Sequence, residues 1–213
     1  MTTSPATMDL RTWPSIADHL YDATRTPEIV RVPSLSFLMV DGHGDPNDSD
    51  EYRAAIQVLY GLSYTLKFAI KKEIGSSYRV GPLEGLWWSD DMADFSAARK
   101  DDWHWTAMIA QPDTVTLDRL ARAIEGLRRK RPLAATDRIR LARFEEGLAG
   151  QVLHIGPYRD EGPTIERLHA FIHERGFSFD GRREKHHEIY LGDPRRAAPE
   201  KLRTIIRQPV DVA

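Results

Sequence analysis

The 213-residue chain has no cysteine. That excludes thiol nucleophiles, disulfide frameworks, cysteine-based zinc sites and iron–sulfur clusters, and it suits a cytoplasmic setting. An excess of either charge is also lacking: 30 lysines and arginines face 32 aspartates and glutamates, a formal net charge of −2. Proteins that grip a phosphate backbone concentrate basic residues, so no nucleic-acid partner is expected. Long apolar runs are missing. The richest stretch, 54–70, is interrupted by Gln57, Ser63, Thr65 and Lys67 and cannot be a membrane span. The first residues lack the basic and apolar segments of a signal peptide. No zinc-finger, P-loop or helix-turn-helix pattern is recognisable, and no metal or cofactor is expected.

What is present is regular punctuation. The expected organisation is a tail and short N-terminal helix over 1–33, the helix at about 15–23, followed by one domain over 34–213. Pro27 and Pro33 bracket an extended connector, and 36–40 reads as a buried strand ending in the turn Asp41-Gly42-His43-Gly44-Asp45-Pro46. Asp48 followed by Glu51 is a capping-box signature for a helix to about 73, whose apolar positions Ala55, Ile56, Leu59, Leu62, Leu66 and Ile70 keep a helical period. Strands are expected at about 80–88, 103–111, 139–145, 151–155, 185–191 and 203–208. Helices are expected at 117–130 and 163–175, the second ended by Gly176.

These elements repeat. Strand, turn, helix, strand, strand occurs first over about 34–112 and again over about 138–210, with a connecting helix at 116–131. Both copies close on Gln-Pro, at Gln111-Pro112 and Gln208-Pro209, and both carry a glutamate in the middle strand, Glu84 and Glu188. The fold class is therefore α+β, two duplicated units paired about a pseudo-two-fold axis. The cleft between such units is a natural small-molecule site.

Particular segments carry a resemblance over about residues 30–210. Leu38-Met39-Val40-Asp41-Gly42 with Gly44-Asp45-Pro46, Pro82-Leu83-Glu84-Gly85-Leu86-Trp87-Trp88, His154-Ile155-Gly156-Pro157-Tyr158 and His186-His187-Glu188-Ile189-Tyr190-Leu191 resemble the GyrI-like small-molecule-binding proteins. The Trp-Trp pair and Asp193-Pro194-Arg195-Arg196 make the chain similar to one branch, the cyclopropanoid cyclopropyl hydrolases. That branch opens the strained cyclopropane of DNA-alkylating natural products of the yatakemycin type. The resemblance implies a duplicated fold, a central acidic residue in the cleft, an aromatic cage, and a role in xenobiotic detoxification and antibiotic resistance. Other relatives only bind and sequester flat or cationic lipophilic molecules.

Opening a spirocyclopropyl dienone needs a flat apolar slot, a carboxylate to take a proton from water and a donor for the developing phenolate. Glu188 is the candidate base. On a strand it shares a face with His186 and Tyr190, while Ile189 and Leu191 would face the helices, and burial would raise its pKa. An ion pair with Arg195 or Lys185 is its ordinary structural alternative. Tyr64 or Tyr190 is the candidate donor. Trp88, Trp105 and Tyr158 are expected to clamp the rings; Trp88 is chosen over Trp87 because it shares the face of Glu84, the expected counterpart of Glu188. Tyr60 and Phe68, at four-residue spacing either side of Tyr64, are either core packing or cleft wall. His154 is either a satisfied core residue or a pocket donor, and of His186 and His187 only one can join the site. His169 and His173, four apart on a helix, have no third ligand in view and read as a solvated face.

Overall fold

The computed structural model describes residues 20–92, 99–181 and 183–212. Most of the expected N-terminal helix lies outside the described residues; of its described part, 20–23, only Leu20 is helical. The elements are β1 (Glu28–Val32), β2 (Leu35–His43), α1 (Asp50–Ile74), β3 (Leu83–Trp88), β4 (His104–Gln111), α2 (Leu117–Lys130) and β5 (Arg140–Phe144). They continue with β6 (Gly147–Ile155), α3 (Gly162–Glu174), β7 (Phe177–Ser178), β8 (His186–Tyr190), β9 (Arg203–Pro209) and β10 (Asp211–Val212).

Local chemistry sets the long helix. Ser49, one residue later than the capping box suggested, caps α1 by accepting a hydrogen bond from the Tyr52 amide at 3.1 Å, and Gly75 ends it at φ 70°, where only a glycine is unstrained. Leu59, Leu62, Leu66 and Ile70 are buried along one stripe. The segment between Pro27 and Pro33 is more than a connector: it pairs antiparallel with β6 as an edge strand, the place a sheet tolerates flanking prolines.

Eight strands form one antiparallel sheet in the order β1-β6-β9-β8-β3-β4-β2-β5. Its inner six read β6-β9-β8 and then β3-β4-β2, so the two strand–helix–strand–strand units meet at the β8–β3 seam, as the repeat predicts. The sheet also has to curl. Two residues join β1 to β2, and two join β5 to β6, although each pair sits near opposite ends of the strand order. Such links span only roughly 10 Å, which draws the two edges together.

The curl gives the sheet an inner and an outer face. On the outer face α1 lies over β2 and β4, and α3 lies over β6. Gly150 lets α3 down onto β6, because a Cβ there would meet Ile172 at 2.7 Å. The seam between the two helices is left open. The inner face is closed by Leu20, Tyr21, Phe37 and Phe144 around a cluster of buried charges. No helix among the described residues is long and apolar enough to cross a membrane.

Candidate functional site

The open seam is a cleft of about 2110 Å³ between α1 and α3, floored by β3 and β8. Register decides which side chains enter it. Gly85 pairs with Glu188, Trp87 with His186 and Leu83 with Tyr190, so these six share the outer face. Glu84 pairs with Ile189 and therefore points inward.

This corrects three expectations. Glu188, His186 and Tyr190 do share a face, but it is the helix-covered one, and Ile189 faces the interior of the curl. Glu84 is not the counterpart of Glu188. With Gln111 matched to Gln208, Met108 corresponds to Ile205; Glu84 pairs with Met108 and Ile189 pairs with Ile205, so Glu84 corresponds to Ile189. The two middle strands are offset by one residue, and one residue exchanges the faces of a strand. Trp88 does share Glu84's face, so it lies away from the cleft, stacked on His104 at 5.6 Å with Lys185 Nζ 3.5 Å from its ring centroid. Trp87 takes its place in the cleft floor.

Glu188 sits at the centre. His186 Nε2 donates to its Oε1 at 3.1 Å and the Tyr190 hydroxyl donates to Oε2 at 2.7 Å. Its side chain is 14 % exposed. Burial alone would raise its pKa, but the hydrogen bond and charge of His186, the Tyr190 hydrogen bond and the charge of Lys100 outweigh it. The carboxyl is held below the usual range and stays ionised, opposite to the expected shift. Tyr190 is pushed up by burial and by Glu188, so it remains a phenol.

Aromatic rings wall the site. Trp87 packs between Tyr52 at 5.7 Å and Trp103 at 5.8 Å, and Tyr158 meets Tyr190 edge-on at 5.4 Å. Tyr60 and Tyr64 stack along α1 at 6.4 Å and reach the mouth; Phe68 continues the stack but is 62 % exposed and outside the cleft. Trp105 is wholly buried beneath Tyr52 and supports the floor rather than lining it. Its ring occupies the space a side chain at Gly42 would need, 2.0 Å from an added Cβ. Gly42→Ala is therefore expected to cost about 1–3 kcal/mol, a fall of several degrees in melting temperature that a thermal melt reads directly. His154 is buried and bonded to Thr164 of α3 at 3.1 Å, outside the cleft.

Three cleft residues had no place in the sequence reading. Tyr52 is four residues before Ile56 and eight before Tyr60, so the stripe on α1 begins one turn earlier. Lys100 enters from the segment before β4, its ammonium 5.4 Å from the Trp103 ring centroid. Glu161 extends the buried stripe of α3 (Thr164, Leu168, Ile172) backwards by a turn, and that spacing was the available signal. It is 4 % exposed, and its Oε1 has no hydrogen-bond partner among the described residues. Burial, then the charge of Glu188, push its pKa up to about 9. His169 also lines the cleft, 4.7 Å from Phe179, and burial lowers it to about 4; it is not on a solvated face. Among the described residues no group of three or more histidine or carboxylate side chains is placed to hold a metal ion.

Residues 25–211 match the GyrI-like small molecule binding domain. Crystal structures of similar proteins span nearly the whole chain. An uncharacterized conserved protein from Listeria innocua is 43% identical, with a TM-score of 0.84 over 91% of this chain and 96% of its own. A hydrolase from Listeria innocua is 42% identical, with a TM-score of 0.81 over 93% of this chain and 98% of its own. A further hydrolase structure from that organism is 43% identical, with a TM-score of 0.82 over 91% and 96%. No curated protein matches the chain.

Proposed function

The chain belongs to the GyrI-like family of small-molecule-binding proteins, and from that premise we propose that it is a hydrolase opening the cyclopropane of DNA-alkylating cyclopropanoids of the yatakemycin type. The observation that carries this reading is Glu188: an ionised carboxylate with two fixed donors, set among flat aromatic walls. The hydrolases from Listeria innocua lend support at 42% and 43% identity.

In this reading the rings of the substrate lie against Trp87, Tyr52 and Tyr158. Glu188 takes a proton from water as the water oxygen bonds to the cyclopropane carbon. The strained C–C bond breaks, and its electron pair enters the dienone, which becomes a phenolate. The Lys100 ammonium is the nearby cation for that developing charge. Tyr190 holds the carboxylate rather than serving the phenolate, because its hydroxyl hydrogen is already committed to Glu188. Tyr64, 46 % exposed at the mouth, is left as the candidate proton donor on product release.

A second reading rests on the same carboxylate. An anion among aromatic rings also suits sequestration of a lipophilic cation. Turnover separates the two. With the cyclopropanoid in large molar excess, mass spectrometry is expected to show many ring-opened alcohol molecules per protein. One or fewer, with the alkylator still protected, leaves only sequestration.

A further inference from the structure

From Glu161 and Glu188 lining one aromatic cleft, we infer that this site also hydrates aryl-substituted oxiranes, Glu161 protonating the oxirane oxygen while Glu188 draws a proton from the attacking water. The inference rests on the proposed role of Glu188 as base and adds a substrate class and an acid.

The placement of Glu161 is built into α3. Its amide donates to the Tyr158 carbonyl at 3.2 Å, and its own carbonyl accepts from Thr164 at 2.8 Å and Ile165 at 2.9 Å. An acidic side chain at a helix start ordinarily turns back to cap the free amides. This one makes no such bond and points into the cleft instead. A buried oxygen without a partner is costly, and a bound oxygen-bearing ligand relieves that cost. The groups facing it are Glu188 and Tyr190 from β8, Tyr158 from the preceding turn, Thr204 from β9 and Lys100. With burial and Glu188 dominating, Glu161 is a neutral acid at pH 7 beside an ionised carboxylate. Carboxyls pushed apart in this way have the form of an acid–base pair.

Dienone opening needs a hydrogen-bond donor at its oxygen but no full proton transfer from such an acid. The oxygen that gathers the charge becomes a phenolate, whose conjugate acid has a pKa of about 10. An oxirane expels an alkoxide, whose conjugate acid is close to water at about 15.7, and that oxygen must be protonated as it leaves. The water oxygen bonds to one oxirane carbon from the side opposite the C–O bond, and that bond breaks. Its electron pair stays on the oxygen, which takes the Glu161 proton, while Glu188 receives the proton of the water. One water is added, the product is a vicinal diol, and exchange with solvent returns a proton from Glu188 to Glu161. No oxidant, reductant or metal enters the balance.

The test uses the full chain with phenanthrene 9,10-oxide and styrene oxide, diol being followed by chromatography and mass spectrometry, and with a cyclopropanoid dienone assayed in parallel. Many turnovers to diol are expected, with a rate that falls as pH rises through about 9 while dienone opening does not. Glu161→Gln is expected to lower diol formation by about 10²-fold or more and dienone opening by only a few-fold, and Glu188→Gln to lower both. Circular dichroism checks that the variants fold; if Glu161→Gln does not, the wild-type pH profiles decide. Dienone turnover without diol overturns the oxirane inference and leaves the proposed function standing. Diol without dienone turnover keeps the inference and removes the cyclopropanoid substrate. No turnover of either removes both. Diol formation that is level above pH 9 and unchanged in Glu161→Gln removes Glu161 as the acid.

Discussion

Glu188→Gln is expected to reduce turnover of a cyclopropanoid by about 10²–10⁴-fold, with KM little changed and the fold retained. The substitution keeps shape and removes basicity. In the protein His186 Nε2 donates to one carboxylate oxygen and Tyr190 to the other. A glutamine oxygen still accepts from His186, and its amide donates to the Tyr190 oxygen once that hydroxyl rotates, so no buried group is orphaned. The loss then falls on proton abstraction alone. The same two donors predict the acid limb of the wild-type pH profile. Glu188 is active only when ionised, and it is held below the usual carboxylate range, so turnover stays level on acidification past pH 4.5 before it falls. Tyr190→Phe removes one donor; the carboxyl rises and the limb moves to higher pH. Steady-state kinetics across pH read both effects. Undiminished turnover in Glu188→Gln removes the base assignment, and a limb unmoved in Tyr190→Phe removes the account of how the carboxylate is kept ionised.

How much of this was legible in the sequence follows from what each residue's surroundings had to supply. The duplication, the three helices α1–α3 and seven of the ten described strands show in punctuation, because Gly75, Gly176 and the two Gln-Pro endings act through local backbone chemistry; β1, β7 and β10 do not. Glu188 and its neighbours on alternate positions follow from the period of a strand. Which face looks into the cleft does not. That depends on the β3–β8 register and on the sheet curling so that its inner face is sealed, both long-range pairings. The choice of Trp88 over Trp87 turned on a single residue of offset. Glu161 was passed over for a related reason. Glu161 lies ahead of the expected helix start at 163, its one trace in the sequence is the three-residue step to Thr164, and the packing of α3 against β6 is what turns that stripe inward.

The inner face carries the other large expectation. Replacing His187 with leucine should destabilise the fold by about 3–5 kcal/mol while leaving Glu188 in place on the opposite face. His187 lies between Glu84, 3.0 Å from Nε2, and Glu146, 2.7 Å from Nδ1, and Arg207 completes the cluster 3.1 Å from Glu146. Arg207 further donates to the Leu20 carbonyl at 2.7 Å and Tyr21 donates to Glu84 at 2.7 Å, so the cluster ties β3, β8 and β9 to the chain ahead of β1. Burial opposes a charge on His187, but the two carboxylates prevail and hold it at about 9; Glu146, likewise opposed by burial, is held near 2 by His187 and Arg207. Leucine leaves two carboxylates against one guanidinium with no water to screen them. For a chain of this size the loss is a fall of roughly 6–20 °C in melting temperature. The pH dependence has a definite sign. The raised pKa of His187 stabilises the fold fully below about 6.5 and ceases to do so as pH rises through about 9, whereas the depressed Glu146 contributes above about 4.5 and is lost as pH falls toward 2. The gap in melting temperature between wild type and His187→Leu should therefore be widest between about pH 4.5 and 6.5 and narrow above pH 9, where the wild-type imidazole is neutral as well. Calorimetry at a series of pH values measures that gap. A constant gap from pH 6 to pH 10 would mean that packing, not charge, is what His187 provides.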